Sequence, residues 1–595
     1  MKALRIGCAS AFWGDTATAA SQLAHQGEID VLVFDYLAEI TMSILAAKRM
    51  RDPQAGYAVD FVDHVMAPLL PEIHRRGIRV VANAGGVNPL ACKAALEAVA
   101  EKAGIALTVA VVLGDDLLPQ RDRFADARHL DDPALPMPAT LVSMNAYLGA
   151  APIAAAWQAG ADVIITGRCV DSAVVLGPLM GHFGWSLDEY DRLAMGSLAG
   201  HIVECGAQCT GGNFTDWETV ADGYADMGFP IVECQADGDF VVTKPAGTGG
   251  RVTRHTVGEQ MLYEIGDPRA YLLPDVSCDF TGVTLTDLGE DRVAVAGARG
   301  QAPTDHYKVS ATYPAGWRCA ALFMIGGIDA ARKGRASASA VVDKVRRQLL
   351  AAGLGDFSGV DIHCIGAEES YGPHAREAAR ATREVVVKIA VQHPNPKALK
   401  LFSREIAQAA TAMAPGFTGY FGGGRPEPHM VPKLFSTLVP KAAVPIEVVV
   451  GTTRASVTVP DSGGYVPPSE RPLSAATAPA TDALVPLVRL AVARSGDKGD
   501  HANIGVMARD PAYLPYIEAA LTPNAVAAWF AHVLRDGAQA AVQRWALPGS
   551  DSFNFLLPHA LGSGGAASLR TDPQGKAFAQ MLLEFPVPVP ASMVK

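Results

Sequence analysis

A turn after a short apolar run carries side chains suited to proton transfer and anion binding. Residues 162–165 have the length and β-branching of a buried parallel strand, and Arg168, Asp171 and Ser172 follow it. A carboxylate moves protons, and an arginine holds a developing oxyanion. In open α/β sheets, ligands bind beside the carboxyl ends of strands, near helix N-termini. The alternative is an Asp/Ser cap of the next helix with a solvent-facing arginine.

The strands predicted before this turn end in the same way. Apolar runs at 31–34, 78–82 and 107–113 are each followed directly by polar residues. Strand–helix alternation over residues 3–183 indicates parallel βαβ units, whose carboxyl ends share one edge of the sheet. We therefore predict a site where six polar residues converge: Asp35, Asn83, Asn88, Asp115, Arg168 and Asp171.

Gly85 and Gly86 follow the third of these strands, and Asn88 precedes a proline that starts a helix. Two glycines let backbone N–H groups approach a phosphate or carboxylate, so both are predicted to bind substrate, with Asn83, Asn88 and Ser172. The chain has no phosphate-binding G-x4-G-K-[ST] loop, G-x-S-x-G elbow or H-E-x-x-H motif, and no G-x-G-x-x-G dinucleotide fingerprint. These absences exclude several common enzyme classes.

Two glycine-rich polar loops, at 204–216 and 244–251, follow the alternating part. Sites for small molecules are common between domains, and these loops are placed to close over the predicted edge. Glu204 is a candidate catalytic residue with Asp35, Arg168 and Asp171, and Glu39 is a further candidate acid or base. Asn213, Gly249 and Gly250 complete the predicted substrate-binding set.

The pattern predicts an α/β protein with several domains, since 595 residues are too many for one core. Residues 1–200 form a mostly parallel α/β domain, and 201–459 a mixed α+β domain packed on it. Residues 460–483 read as a linker, and 484–595 as a small ferredoxin-like α+β domain. An amphipathic helix is predicted at 375–391, and a tight polar turn at 494–500.

Composition argues against nucleic-acid binding and against membrane attachment. The net charge is -11, and no Lys/Arg run suits a nucleic-acid surface or a polybasic membrane anchor. No segment approaches the ~18–20 apolar residues of a membrane span. Nine cysteines with irregular spacing favour free thiols in a reducing cytoplasm. No metal set and no cofactor is predicted, although Asp35, Asp115 and Asp116 have the oxygen ligands that Mg²⁺ uses.

Motifs along nearly the whole chain resemble the acyclic terpene utilisation protein AtuA family. They are IGCASAFWGD, NAGGVNP, ITGRCVDSA, ECGAQCTGGNF, ARSGDKGDHANIGV and SLRTDPQGK. The resemblance implies a large N-terminal domain and an AtuA-like ferredoxin-fold C-terminal domain. It also implies bacterial catabolism of a branched or terpenoid acyl-CoA, in the company of acyl-CoA carboxylases and dehydrogenases, without giving a reaction type or catalytic residues.

Three functional hypotheses follow. The first is an enzyme that hydrates, dehydrates or cleaves an acyl-CoA thioester, with the residues above as acid, base and oxyanion partners. The second is an oxidoreductase of a terpene alcohol, aldehyde or acyl-CoA, and the third is a non-catalytic pathway subunit or scaffold. A cytoplasmic homo-oligomer that binds a small acyl-CoA, and neither nucleic acid nor membrane, is the expectation. The polar turn containing Ser495, Asp497, Lys498 and Asp500 is interpreted as a simple hairpin connection.

Overall fold

A computed structural model describes residues 2–421, 424–469, 481–535 and 537–593. The architecture is α/β, as the alternating pattern predicts, with several sheets. Eleven of the predicted linker's residues, 470–480, and the last two residues of the C-terminal domain lie outside the described ranges. Within those ranges, no helix has both the length and the apolar character needed to cross a membrane.

The first part of the chain supplies six strands and seven helices. The strands are β1 (Leu4–Cys8), β2 (Val31–Phe34), β3 (Arg79–Ala82), β4 (Val109–Leu113), β5 (Ser143–Ala146) and β6 (Val163–Thr166). The helices are α1 (Ala19–Gln26), α2 (Glu39–Arg51), α3 (Ala67–Arg76, after a π-helical turn at Phe61–Met66), α4 (Pro89–Ala103), α5 (Ala151–Gln158), α6 (Ala173–Phe183) and α7 (Tyr190–Val203).

The middle of the chain is richer in strands. They are β7 (Ile231–Cys234), β8 (Phe240–Thr243), β9 (Tyr271–Leu272), β10 (Ser277–Asp279), β11 (Thr284–Gly289), β12 (Arg292–Ala296), β13 (Arg299–Gln301), β14 (His306–Gly326), β15 (Gly359–Ile365), β16 (Glu384–His393), β17 (Phe417–Tyr420), β18 (His429–Pro440), β19 (Glu447–Val450) and β20 (Thr453–Ser456). The helices are α8 (Arg254–Met261), α9 (Ala330–Ala351), α10 (Glu377–Arg380) and α11 (Pro396–Glu405).

The C-terminal part is a small α+β unit. Its strands are β21 (Ala483–Pro486), β22 (Ala491–Lys498), β23 (His501–Ala508), β24 (Gln543–Leu547), β25 (Ser552–Leu557) and β26 (Pro586–Val589). Its helices are α12 (Leu514–Ala520), α13 (Pro523–Trp529) and α14 (Phe578–Leu582). Four of the strands form an antiparallel sheet in the order β22-β23-β25-β24, with an apolar core of its own.

The main sheet is parallel at its centre and antiparallel at its margins. Its strand order is β11-β12-β8-β7-β1-β2-β3-β6-β4-β19-β20, and the run from β1 to β4 is parallel. Apolar clusters cover both faces, as buried parallel strands require. Because β7, β8, β11, β12, β19 and β20 come from beyond residue 200, the boundary predicted there runs through one sheet.

A second sheet is organised around the long strand β14. One half of β14 pairs with β5 and β18, and the other half pairs with β16 and β17. The helix predicted at 375–391 is wrong: only α10 is helical there, and β16 follows it. Val385, Val387 and Ile389 are buried on alternate positions of a β-branched run, and that period of two belongs to a strand.

Candidate functional site

The parallel strands bring the predicted polar residues to one edge. Asp35, Asn83 and Asp115 follow the ends of β2, β3 and β4, and all three are buried. Asn83 Nδ2 donates to Asp35 Oδ1 at 2.5 Å, and Asn83 Oδ1 accepts from the Tyr36 amide at 2.6 Å. Asp115 accepts from the Arg168 amide at 2.8 Å. Hydrogen bonds from side chains therefore connect the polar residues that follow neighbouring strands.

Arg168 is the central cation of this edge and is 4% exposed. Its Nη1 donates to the Leu37 carbonyl and to Asp171 Oδ1, both at 2.8 Å, and its Cζ lies 4.2 Å from the centre of the Tyr147 ring. Its buried Nε–H has no hydrogen-bond partner among the described residues. A buried donor without a partner costs free energy, so this N–H is a group that a ligand oxygen would satisfy.

A second carboxylate, Glu39, interacts with the same arginine. Tyr147 donates its hydroxyl proton to Glu39, and Lys308 Nζ is 3.8 Å from the same carboxyl. Burial raises the pKa of Glu39, but Lys308, Arg168 and Tyr147 lower it more, to about 2. Glu39 is therefore an ionised counter-ion for Lys308 and Arg168, and with Arg168 and Tyr147 it lines a small pocket.

Asp35 has the opposite environment. Burial and the charge of Asp171 raise the pKa of the Asp35 carboxyl well above its usual range, against the smaller effects of Arg168 and Asn83. A carboxyl of this kind retains its proton at higher pH than a surface aspartate. Perturbed carboxyls with a specific charge partner are candidates for acid–base roles.

Glu204 joins this group from the end of α7. It is buried beside His201, whose Nδ1 is 3.1 Å from Glu204 Oε1, and Asp171 and Asp35 both interact electrostatically with it. Burial raises the pKa of Glu204 to about 7, against the lowering effect of His201. The structure thus brings the four predicted catalytic residues, Asp35, Arg168, Asp171 and Glu204, into one charged cluster.

The two glycines of the β3 turn have a structural role. Gly85 N donates to the Thr166 carbonyl at 3.0 Å and Gly86 N to the Asn83 carbonyl at 3.4 Å. Both amides thus have partners within the protein, and substrate binding by Gly85 and Gly86 stays a prediction. A Cβ on Gly85 would lie 2.5 Å from Thr166 O. Glycine at this position therefore lets the turn after β3 pack closely on the end of β6.

Asn88 and Ser172 lie at helix starts. Asn88 precedes Pro89 of α4 as predicted, but its Nδ2 donates to the carbonyls of Pro53 and Ala55. Ser172 is the N-cap of α6 without a side-chain cap bond, and Asp171 contacts Arg168 instead of capping. The alternative that the side chains of Asp171 and Ser172 cap α6 is therefore wrong.

The remaining predicted binding residues lie in packed loops. Asn213 is exposed, with a φ of 55°. Gly249 N donates to the Asp226 carbonyl at 2.7 Å, and a Cβ on Gly249 or Gly250 would meet the backbone of Gly223 or Thr210. Gly250 thus packs on the other glycine-rich loop at Thr210, and Gly249 packs on residues 223–226. Substrate binding by Asn213, Gly249 and Gly250 stays a prediction.

Several residues of the cluster carry no local sequence signal. Lys308 is one position of the long strand β14, and Tyr147 follows β5. Glu264 and Tyr271 follow α8. Lys576 belongs to the C-terminal domain, and its ammonium donates a hydrogen bond to the Glu264 carboxylate at 2.7 Å. Of these, Lys576 lies in SLRTDPQGK, one of the segments that carry the family resemblance.

The charged cluster offers little to a metal ion. Among the residues that the structure describes, no three His, Cys, Asp or Glu side chains form a group that could hold a metal ion. Asp115, a considered Mg²⁺ ligand, already accepts hydrogen bonds from Arg168 N and Asn145 Nδ2. All nine cysteines are free thiols.

Comparison with known proteins gives two family matches. The model of the acyclic terpene utilisation family protein AtuA matches residues 4–450, and the AtuA ferredoxin-like domain matches residues 485–588. No curated protein and no solved structure matches the chain. The two family matches cover the charged cluster and the C-terminal domain that reaches it. The chain belongs to the acyclic terpene utilisation AtuA family, with a ferredoxin-like domain at its C-terminus.

Proposed function

We propose that this protein is a catabolic enzyme that acts on a branched or terpenoid acyl-CoA in acyclic terpene utilisation. The reaction is a hydration, dehydration or C–C cleavage next to the thioester carbonyl. One observation carries the proposal: two buried carboxyls with raised pKa, Asp35 and Glu204, both interact with Asp171 beside the buried guanidinium of Arg168.

The two carboxyls support paired proton transfers. In dehydration of a 3-hydroxyacyl thioester, an ionised carboxylate takes the proton from the α-carbon, and a protonated carboxyl gives its proton to the departing hydroxyl, which leaves as water. Hydration is the reverse. In C–C cleavage, the base takes the hydroxyl proton and the acid protonates the carbon that departs. Carboxyls with raised pKa are suited to such roles near neutral pH.

Arg168 supports the charge that develops on the substrate. Removal of an α-proton moves negative charge to the thioester oxygen, and a positioned donor in a water-poor site stabilises that oxygen. The Arg168 Nε–H is buried and lacks a protein partner in the described ranges, whereas Nη1 is already held by Leu37 and Asp171. The guanidinium is thereby oriented before substrate binds.

The test is turnover of a panel of branched and terpenoid acyl-CoAs by the full-length protein, followed by mass spectrometry for gain or loss of water or for chain cleavage. We expect Asp35→Asn and Glu204→Gln each to reduce turnover by about 10²-fold or more, because each removes a proton-transfer group. Asp63→Asn, on an exposed helical turn, is the control. No product from any thioester, or full turnover in both variants, would overturn the proposal.

A further inference from the structure

The C-terminal domain is docked rigidly beside the charged cluster. Arg494 of β22 forms an ion pair with Glu259 of α8 at 2.9 Å, and these side chains are 6% and 1% exposed. Thr215 Oγ1 donates to the Ala493 carbonyl and accepts from the Ala493 amide, at 3.2 and 3.1 Å. Charged and hydrogen-bonded groups buried this fully restrict sliding between the two parts.

A second set of contacts holds the segment after α8. Asn503 of β23 donates to the Leu262 carbonyl and accepts from the Glu264 amide, both at 2.8 Å. Glu264 has a φ of 55°, a conformation uncommon for a residue with a side chain, and the Asn503 contact fixes it there. The C-terminal domain thereby sets the direction in which the Glu264 carboxylate leaves the backbone.

In the hairpin formed by β22 and β23, Asp497 and Lys498 lie at the end of β22. Asp497 and Glu264 share the Lys576 ammonium, at 3.3 and 2.7 Å. Lys498 Nζ lies 5.4 Å from the centre of the Tyr271 ring, and Tyr271 packs on His201, the partner of Glu204. The segment is a hairpin, as interpreted from the sequence, but the turn is shorter than residues 494–500, since strand β22 continues to Lys498 and carries Asp497 and Lys498 toward the cluster.

Lys498, the last residue of β22, is a cation that could bind a ligand. Among the described residues, its Nζ has no hydrogen-bond or ion-pair partner. Its side chain is exposed, and its ammonium interacts electrostatically with Glu264, Glu204 and Asp171. By contrast, Lys576 is bound to Glu264 and Asp497, and Arg168 is bound to Asp171.

From this arrangement we propose that Lys498 is a substrate-binding residue, supplied by the C-terminal domain, that holds an anionic oxygen of the ligand above the Asp171–Glu204 cluster. The inference rests on the proposed function for its ligand class: the oxygen is the thioester oxygen of an acyl-CoA or the carboxylate of a branched acid. The C-terminal domain is therefore part of the site and not a separate module.

The experiment measures binding and not turnover, so that its failure is distinct from failure of the proposed reaction. Full-length wild type, Lys498→Met, Lys498→Arg and the exposed control Lys102→Met are titrated by calorimetry with 3-methylcrotonyl-CoA, 3-methylcrotonate and free CoA. Thermal unfolding of each protein without ligand checks that the variants are folded.

We expect Lys498→Met to weaken binding by about 10-fold or more, Lys498→Arg to retain part of the affinity, and Lys102→Met to bind as wild type does. Weakened binding of the free acid alone identifies a carboxylate as the anion, and weakened binding of the thioester alone identifies the thioester oxygen. Weakened binding of both shows that Lys498 contacts the oxygen that the two ligands have in common. Affinities in Lys498→Met within twofold of wild type overturn the proposal, as does wild type that binds neither the thioester nor the acid. Binding without turnover would contradict the proposed reaction and not the role of Lys498.

Discussion

His201 Nδ1 lies 3.1 Å from Glu204 Oε1 inside the protein. His201 Nε2 lies 3.1 Å from the Met261 carbonyl, so both ring nitrogens have a polar partner. These two contacts fix the orientation of the imidazole ring beside the buried Glu204 carboxyl.

This pair predicts how stability changes with pH. Burial raises the pKa of Glu204 to about 7 from a usual value of 4.5. Between these values the folded state binds more protons than the unfolded state, so this group's contribution to stability falls as pH rises from 4.5 to 7. Glu204→Gln keeps the hydrogen bond without a titrating group. Its midpoint of thermal unfolding should therefore rise relative to wild type between pH 5 and pH 8.

The control for this prediction is Glu101→Gln, which alters an exposed position of α4. It should follow the wild-type pH dependence. A Glu204→Gln protein whose unfolding midpoint keeps a constant difference from wild type over the same range would show that Glu204 does not titrate there.

A second prediction concerns the pH dependence of turnover. The Asp171 charge is, after burial, the largest cause of the raised pKa of Asp35. Asp171→Asn removes that charge and should lower the pKa of Asp35. If Asp35 acts as the protonated acid, the alkaline limb of the rate profile should move to lower pH. Asp191→Asn, at an exposed pair with Arg299, should leave the profile in place, and an upward movement in Asp171→Asn would contradict the assignment.

The ion pair between the domains gives a third prediction. Arg494→Met leaves Glu259 buried without its charge partner, which typically costs about 3–5 kcal/mol of unfolding free energy. The double variant Arg494→Met/Glu259→Leu should recover part of that loss. Arg509→Met is the matched control, because its pair with Asp216 also joins the two parts but is partly exposed, and it should cost no more than about 1 kcal/mol. Denaturant unfolding measures all three, and equal losses in the two single variants would refute the prediction.

A fourth prediction tests the turn after β3. In Gly85→Ala the new methyl group would meet Pro89 Cβ and Thr166 O, each at 2.5 Å. Relief of such overlap moves backbone, so we expect a loss of about 1–3 kcal/mol in unfolding free energy. Gly419→Ala, where a Cβ meets nothing within 4 Å, should be close to neutral. A stable Gly85→Ala protein would mean that the turn tolerates displacement.

The sequence predicted the parts of the site that are local. Asp35, Asn83 and Arg168 each follow a short apolar strand, and parallel pairing then brings them together without further information. Lys308 was missed because it joins the site through the pairing of β14 with β5, which no local pattern reports. The helix predicted at 375–391 failed because alanine and glutamate near its start have helical preferences, whereas the following valines pack in a sheet.

The C-terminal contribution to the site was also missed. Residues 494–500 are polar and rich in glycine, which favours a turn when read alone. Their hydrogen bonds come from the next strand, β23, whereas their contacts come from Tyr271 and Lys576, which are distant in sequence. Contacts between distant residues leave no local pattern in the sequence.

The order in which the main sheet is assembled has a consequence for biosynthesis. Strand β4 is the last of the parallel strands, and β19 borders it on the outer side, where Ala110 pairs with Val450. During synthesis, more than three hundred further residues must therefore be added before the open edge of β4 can pair with β19. An apolar strand with an open rim is a site for incorrect association, so the nascent chain is expected to depend on chaperones and to refold slowly after dilution from denaturant.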